Sequence, residues 1–111
     1  MATFVEFEAT VMAFPEVTVE PHFEKISFRV KKKIFATYDE KNLRVTVKLS
    51  PSNQELFSSI SSSVYQVDNS WGTQGWTYLE LEEIGGELLE KVLISSFCQV
   101  APKSLSDLLK N

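Results

Sequence analysis

The spacing of apolar residues changes along the first half of the chain, and each spacing predicts a different kind of element. Apolar side chains recur every three or four residues between positions 4 and 14, after a Thr3-to-Glu6 capping spacing and before Pro15. This pattern predicts a first helix over residues 4–14. Apolar and polar residues then alternate in three runs, which predicts half-buried antiparallel strands over residues 26–30, 34–38 and 43–49.

The second half of the chain predicts two further strands and two further helices. Ser50-Pro51 and the Ser52-to-Glu55 spacing open a short helix, residues 64–67 and 76–81 form a strand pair, and Gly85-Gly86 precedes a long helix that ends at Pro102. The predicted order is α-β-β-β-α-β-β-α. Strands grouped between helices predict an α+β fold, a two-layer sandwich with a five-stranded antiparallel sheet and helices on one face. Residues 1–111 are expected to form one domain.

Two loops set the register that we predict for the first three strands. A three-residue loop at 31–33 pairs Phe28 with Ala36, and a four-residue loop at 39–42 pairs Ala36 with Val45. A two-residue Lys31-Lys32 turn is disfavoured, because both lysines would need a positive φ. In the predicted register the apolar alternates share one face. The opposite face then carries Ser27, Arg29, Phe35, Thr37, Arg44, Thr46 and Lys48, with no carboxylate.

Four stretches in succession resemble a known family. They are Phe14-Pro15-Glu16-Val17-Thr18, Phe28-Arg29-Val30-Lys31-Lys32-Lys33-Ile34-Phe35-Ala36, Trp71-Gly72-Thr73-Gln74-Gly75-Trp76-Thr77 and Val100-Ala101-Pro102-Lys103. Together they resemble the MmcQ/YjbR family of small bacterial proteins. The resemblance implies a five-stranded sandwich similar to type III secretion chaperones, and a double-wing mode of DNA binding without catalytic residues. The chain departs from the family at Lys31 and Lys32, where relatives often have glycine.

The charge is unevenly distributed. Residues 25–48 hold eight basic and two acidic residues, whereas the rest of the chain holds three basic and thirteen acidic, for a net charge of −4. An aromatic ring among cations and hydroxyls suits phosphate contacts and base stacking, although a net acidic chain argues against tight nonspecific DNA binding. The hypothesis is a non-enzymatic DNA-binding protein that uses this face and wing-like loops. Its predicted nucleic-acid-binding residues are Arg29, Lys31, Lys32, Lys33, Phe35, Arg44, Lys48, Trp71 and Trp76.

Two other interpretations stay open at this point. The basic face could be an ordinary solvated surface, with Phe35, Trp76 and Tyr78 packed together or under a tail formed by Leu105, Leu108 and Leu109. The chain could instead be a protein-interaction or chaperone-like module that uses the aromatic loop. We expect a monomer or a weak homodimer.

Candidate chemistry adds little to these interpretations. One histidine, His22, and one cysteine, Cys98, cannot supply a usual zinc site or an internal disulfide, and no nucleophile elbow or phosphate loop is present. We therefore expect no metal, no cofactor and no enzymatic activity. The acidic N-terminal stretch does not resemble a secretory signal and no apolar run is long enough to span a membrane, so a cytoplasmic location is expected.

Overall fold

One antiparallel sheet of six strands forms the framework of the computed structural model, which describes residues 2–109. The strand order is β1-β2-β3-β4-β6-β5. The strands are β1 Val17–His22, β2 Lys25–Val30, β3 Lys33–Asp39, β4 Arg44–Lys48, β5 Val64–Gln66 and β6 Trp76–Glu80. The helices are α1 Phe4–Met12, α2 Pro51–Ile60, α3 Ser70–Thr73, α4 Gly86–Val100 and α5 Lys103–Ser106, followed by a 3₁₀ turn at Asp107–Leu109. The α+β class is confirmed, but the predicted five strands and the predicted order are wrong.

Strand β1 accounts for the main error in the predicted order. Pro21 lies inside it and most of its side chains are exposed, so it lacks the alternation that marks a half-buried strand. Proline is tolerated there because β1 is an edge strand, where a missing N–H breaks no ladder. The turn to β2 contains neither glycine nor asparagine, and Phe23 takes the left-handed backbone conformation there, with a φ of 59°. Helix α3 is a second difference, because it lies between the strands predicted over residues 64–67 and 76–81, where the sequence predicts no helix.

Side-chain caps fix the starts of the first two helices. The Thr3 hydroxyl accepts a hydrogen bond from the Glu6 N–H at 3.2 Å, as the capping spacing predicts. The Ser50 hydroxyl accepts one from the Asn53 N–H at 3.2 Å, so the N-cap of α2 lies two residues before Ser52, where a Ser52-to-Glu55 box would place it. Helix α4 runs from Gly86 to Val100, which confirms the predicted long helix.

Helices α1 and α4 cover one face of the sheet, which we call the inner face. Aromatic rings fill the space between the two layers. Phe7 of α1 meets Phe28 edge-on at 5.2 Å between ring centroids, and Phe97 of α4 meets Phe35 edge-on at 5.6 Å. The apolar spacing also predicts nine core residues, and all are buried except Phe4, which is half-buried against the core: Phe4, Phe7, Val11, Phe28, Val45, Val47, Leu89, Val92 and Phe97.

A bulge in β3 corrects the predicted β2–β3 register. Phe28 pairs with Ala36 as expected, but Arg29 pairs with Ile34, so Phe35 is an extra residue in its strand. The predicted three-residue loop is wrong, since the turn is the disfavoured two-residue Lys31-Lys32 turn, with φ of 50° and 69°. The bulge adds one residue to β3. Phe28 and Ala36 therefore still pair on the apolar face although the turn has only two residues. The bulge also moves Phe35 into the core. Its predicted position on the opposite face is therefore wrong.

Ser96 of α4 satisfies the backbone that the bulge leaves without ladder partners. Its hydroxyl donates to the Phe35 carbonyl at 2.6 Å and accepts from the Lys48 N–H at 3.2 Å. Between β3 and β4 the register differs from the prediction by two residues, because Ala36 pairs with Val47 rather than Val45. A shift of two keeps every side chain on its predicted face.

Candidate nucleic-acid interface

A row of hydroxyl groups crosses the face of the sheet opposite the helices, which we call the outer face. Successive strand pairings connect Ser27 to Thr37, Thr37 to Thr46, Thr46 to Tyr78, and Tyr78 to Tyr65. Side chains two residues away on the same strands share this face, since strand side chains alternate. Cations therefore lie on both sides of the row, with Lys25 and Arg44 on one side and Arg29 and Lys48 on the other.

Carboxylates from neighbouring strands hold the two arginines. The Arg29 Nε lies 3.9 Å from a Glu20 carboxylate oxygen and donates to the Ser27 hydroxyl at 3.0 Å. The Arg44 Nε donates to Glu80 at 3.1 Å, and its guanidinium lies 4.5 Å from the Tyr78 ring centroid. The expectation of an outer face without carboxylates is therefore wrong. Glu80 holds the Arg44 side chain by a hydrogen bond, whereas Glu20 lies only within ion-pair distance of Arg29.

Two ionisable groups next to this face are perturbed by their neighbours. Burial raises the pKa of Tyr65 to about 12, and its hydroxyl's hydrogen bond to Glu80 adds to the shift. The hydrogen bond from the Asn42 side chain lowers the pKa of Asp39, and the charge of Lys25 contributes in the same direction. Both shifts favour the protonation states that preserve the hydrogen bonds at neutral pH.

A cleft of about 460 Å³ opens on the outer face, and we call it the aromatic cleft. Its floor is the hydroxyl row at Thr37, Thr46 and Tyr78, and one wall is Trp71 of α3. The cleft is lined by His22, Lys25, Ile34, Thr37, Thr46, Val67, Asn69, Trp71, Trp76 and Tyr78. The Trp71 side chain is 58% exposed, whereas Trp76 and Tyr78 are half-buried. Apolar rings and hydroxyls thus alternate around an open concave surface.

The loop that carries Trp71 packs on the protein's own backbone. A Cβ at Gly72 would lie 1.8 Å from the Val67 carbonyl oxygen, and one at Gly75 would lie 1.9 Å from that of Leu49. The buried Gln54 amide donates to the Gly72 carbonyl at 3.0 Å and to the Trp76 carbonyl at 3.1 Å. The glycines therefore serve close packing within the chain, and the loop holds Trp71 at a defined position.

The three lysines at the β2–β3 turn lie at one end of the sheet, away from the cleft lining. Lys31 and Lys32 adopt the left-handed backbone conformation, which is unfavourable for residues with a Cβ. Lys31 pairs with Glu16 at 2.8 Å, and all three side chains are exposed. The turn therefore presents positive charge from an uncommon conformation for lysine.

The structure brings together most of the residues predicted for nucleic-acid binding. Arg29, Arg44, Lys48 and Trp76 share the outer face, with the Lys48 ammonium 5.7 Å from the Trp76 ring centroid and donating to the Gln74 carbonyl. Trp71 reaches the same cleft from α3, whereas Phe35 is buried on the inner face. The predicted tail does not cover the outer face, since Leu105 is buried against α4 and Leu108 is 68% exposed.

Sequence reasoning missed the contribution of the β1–β2 hairpin to this site. His22 and Lys25 pair across that hairpin and line the cleft, and Phe23 at its tip is 95% exposed. An exposed phenylalanine with a φ of 59° is an unusual turn residue. The sequence gives little sign of this hairpin, because β1 lacks the alternation that would identify it as a strand.

The model of the YjbR family matches residues 12–99, which span all six strands and most of α4. The chain belongs to the YjbR family. This membership confirms the family resemblance expected from the sequence. No curated protein sequence matches the chain significantly.

A solved structure supports the fold of this YjbR-family chain. The chain is similar to the crystal structure of the Deinococcus radiodurans protein DR2400, a DUF419 domain, with a TM-score of 0.77 and 22% sequence identity. The match covers 98% of this chain and 88% of that one. Likeness at this identity concerns the fold.

Residues 2–109 of the YjbR-family chain contain no cluster of three or more histidine, cysteine, aspartate or glutamate side chains able to hold a metal ion. Over the same residues, no helix has the length and apolar character needed to cross a membrane.

Proposed function

We propose that this YjbR-family protein is a non-enzymatic, cytoplasmic DNA-binding protein that holds DNA against the outer face of its sheet. The observation that carries the proposal is the open aromatic cleft, bounded by tryptophan rings and flanked by cations on both sides. Proteins that bind single-stranded nucleic acids combine a positive groove for the backbone with aromatic rings for the bases. The outer face offers both on one surface.

The distribution of charge between the two layers supports an orientation for DNA. Helices α1 and α4 carry Glu6, Glu8, Glu87 and Glu90 against one cation, Lys91, whereas on the outer face the four cations of β2 and β4 outnumber Glu20 and Glu80. A polyanion is repelled by the helical layer and attracted to the sheet and its lysine turn. This polarity allows local binding by a chain whose net charge is −4.

The direct test is titration of labelled single-stranded and double-stranded DNA with the protein at low and moderate salt. We expect the logarithm of the binding constant to fall with the logarithm of salt concentration with a slope of roughly −2 to −4, which corresponds to a few phosphate contacts. Absence of binding to both forms at low salt, with a folded protein, would refute the proposal.

A matched pair of charge reversals locates the interface. Lys32→Glu with Lys33→Glu changes two exposed lysines at the turn, and Lys91→Glu with Lys103→Glu changes two exposed lysines in the helical layer by the same total charge. We expect the first variant to bind DNA at least tenfold more weakly and the second to bind within about twofold of the wild type. Equal loss in both variants would place DNA elsewhere. Arg29 and Arg44 are poorer choices, because a glutamate there would face Glu20 or Glu80.

A further inference from the structure

We propose that the aromatic cleft is a site for one unpaired nucleobase, which stacks on Trp71 and Trp76. The inference rests on the proposed DNA binding and assigns a substrate class to one part of the outer face. Ligand pockets commonly have volumes of roughly 300–1,000 Å³ and combine apolar walls with a few polar groups. The cleft, at about 460 Å³, falls in that range.

The rings supply the apolar surface that a base needs. Trp71 stands at the rim with 58% of its surface exposed, and Trp76 lies half-buried on β6. A base in a duplex has both faces covered by its neighbours, so stacking on these rings requires a base that has left the helix or belongs to a single strand. The cleft therefore selects unpaired bases over paired ones.

Hydroxyls on the floor supply groups that can bond the edge of a base. Thr37 and Thr46 pair across β3 and β4 and line the cleft, and within residues 2–109 their hydroxyls form no hydrogen bond to another protein group. A hydroxyl both donates and accepts, so this pair can meet either kind of group on a base edge. The Lys25 side chain at the rim adds a cation for the phosphate of the same nucleotide.

The wall that carries Trp71 is positioned before any ligand arrives. The Asn69 side chain accepts from the Trp71 N–H at 2.9 Å, and the Gln54 amide bonds the Gly72 carbonyl and, at 3.0 Å, the Thr77 hydroxyl. A platform held in this way loses little conformational freedom when a base stacks on it, which favours affinity.

Both tryptophans of the chain line the cleft, so intrinsic tryptophan fluorescence reports its occupancy directly. The protein is titrated with a short thymidine-containing strand, the same strand made abasic, the matching duplex, and the duplex with one bulged base. We expect the normal strand and the bulged duplex to quench the fluorescence. We also expect them to bind at least tenfold more tightly than the abasic strand and the paired duplex.

Trp71→Ala tests the wall, and Leu56→Ala is its control because Leu56 is a similarly exposed apolar residue on α2, outside the cleft. Loss of one stacking partner should weaken binding of the normal strand by about tenfold to a hundredfold and leave the abasic strand unaffected. The control should bind both strands as the wild type does.

The outcomes separate this inference from the proposed function. If normal and abasic strands bind equally without quenching, the base site is wrong while DNA binding by the cations stands. If no oligonucleotide binds at low salt, both fail. If thymidine monophosphate binds as tightly as the strand, the base site stands and a free nucleotide replaces DNA as its source, which overturns the proposed function.

Discussion

The two faces of the sheet use the same strands for opposite purposes. The inner face is sealed by α1 and α4, and its contacts are close ring pairs such as Phe7 with Phe28. The outer face keeps the Trp71 ring open to solvent and pairs its two arginines with carboxylates, such as Arg44 with Glu80. Burial of apolar area stabilises the inner face, whereas ion pairs that remain partly in solvent contribute less to stability. Stability therefore comes mainly from the inner face, while the proposed DNA contacts use the outer face.

The division is not complete at the bulge, where the two faces affect each other. The extra residue in β3 turns Phe35 inward and leaves Ile34 to line the cleft. Ser96 stabilises this arrangement from the helical layer. The shape of the outer surface therefore depends on a hydrogen bond made from the inner side.

The comparison predicts its largest effect for a matched pair of aromatic truncations. Phe97→Ala should destabilise the protein by about 3–5 kcal/mol, because the fully buried ring leaves a cavity against Phe35. Trp71→Ala should cost about 0.5 kcal/mol or less, since the ring is 58% exposed. Urea unfolding measures both changes, and similar costs would show that the outer face contributes to the core.

A smaller effect is expected where the helical layer supports the bulge. Ser96→Ala removes the donor of the buried hydrogen bond to the Phe35 carbonyl. It also removes the acceptor of the part-buried hydrogen bond from the Lys48 N–H. The expected cost is about 1–3 kcal/mol. Ser95→Ala on the same helix is the control, because Ser95 is half-buried and makes no such contact, and it should cost less than about 0.5 kcal/mol.

Ser96→Ala should also change the shape of the bulge, and tryptophan fluorescence gives a second measurement of that change. The variant should alter the tryptophan emission of the aromatic cleft, whereas Ser95→Ala should not. A loss of stability without any spectral change would show that the bulge keeps its shape without Ser96.

The periodic parts of the fold could be predicted from the sequence, and the irregular parts could not. Helix α4 and the inner faces of β2 and β4 follow from apolar spacing, because one period describes each whole element. The bulge is hidden since Ile34, Phe35 and Ala36 are all apolar, so the alternation gives no sign of an extra residue. Strand β1 is hidden because Pro21 and exposed side chains remove the alternation.

The candidate site could be predicted in part, for a similar reason. Arg29, Arg44, Lys48 and Trp76 follow from strand alternation alone. The partners of these residues could not be predicted in this way. Glu80, which binds Arg44, is 36 positions further along the chain, and no local pattern predicts the pairing of β4 with β6. The direction of Trp71 depends on Gln54, whose three hydrogen bonds become visible only in the folded chain.

Substitutions at Lys31 and Lys32 should make the protein more stable and weaken its binding to DNA. Lys31→Asn with Lys32→Gly places residues that tolerate positive φ at the two left-handed positions and should stabilise the protein by about 1 kcal/mol. The same variant should bind DNA with a shallower salt slope, by up to about two units. Lys41→Gly, at an exposed turn position without a positive φ, should give no stabilisation. Greater stability with unchanged DNA binding would remove the turn from the interface.

The smallest effect concerns the pH dependence of the outer face. The pKa of Tyr65 is raised to about 12 by burial and by its hydrogen bond to Glu80, from an ordinary value near 10 in the unfolded chain. Because the folded state holds this proton more tightly, the stabilisation is present below pH 10 and is lost as the pH rises towards 12. Tyr65→Phe removes the hydroxyl, so the stability difference between wild type and variant should shrink between pH 9 and pH 11.5. Urea unfolding midpoints of the two proteins measure that difference. Tyr38, whose pKa burial also raises, is present in both and cancels. A difference that stays constant over this range would show that the Tyr65–Glu80 contact does not couple protonation to folding.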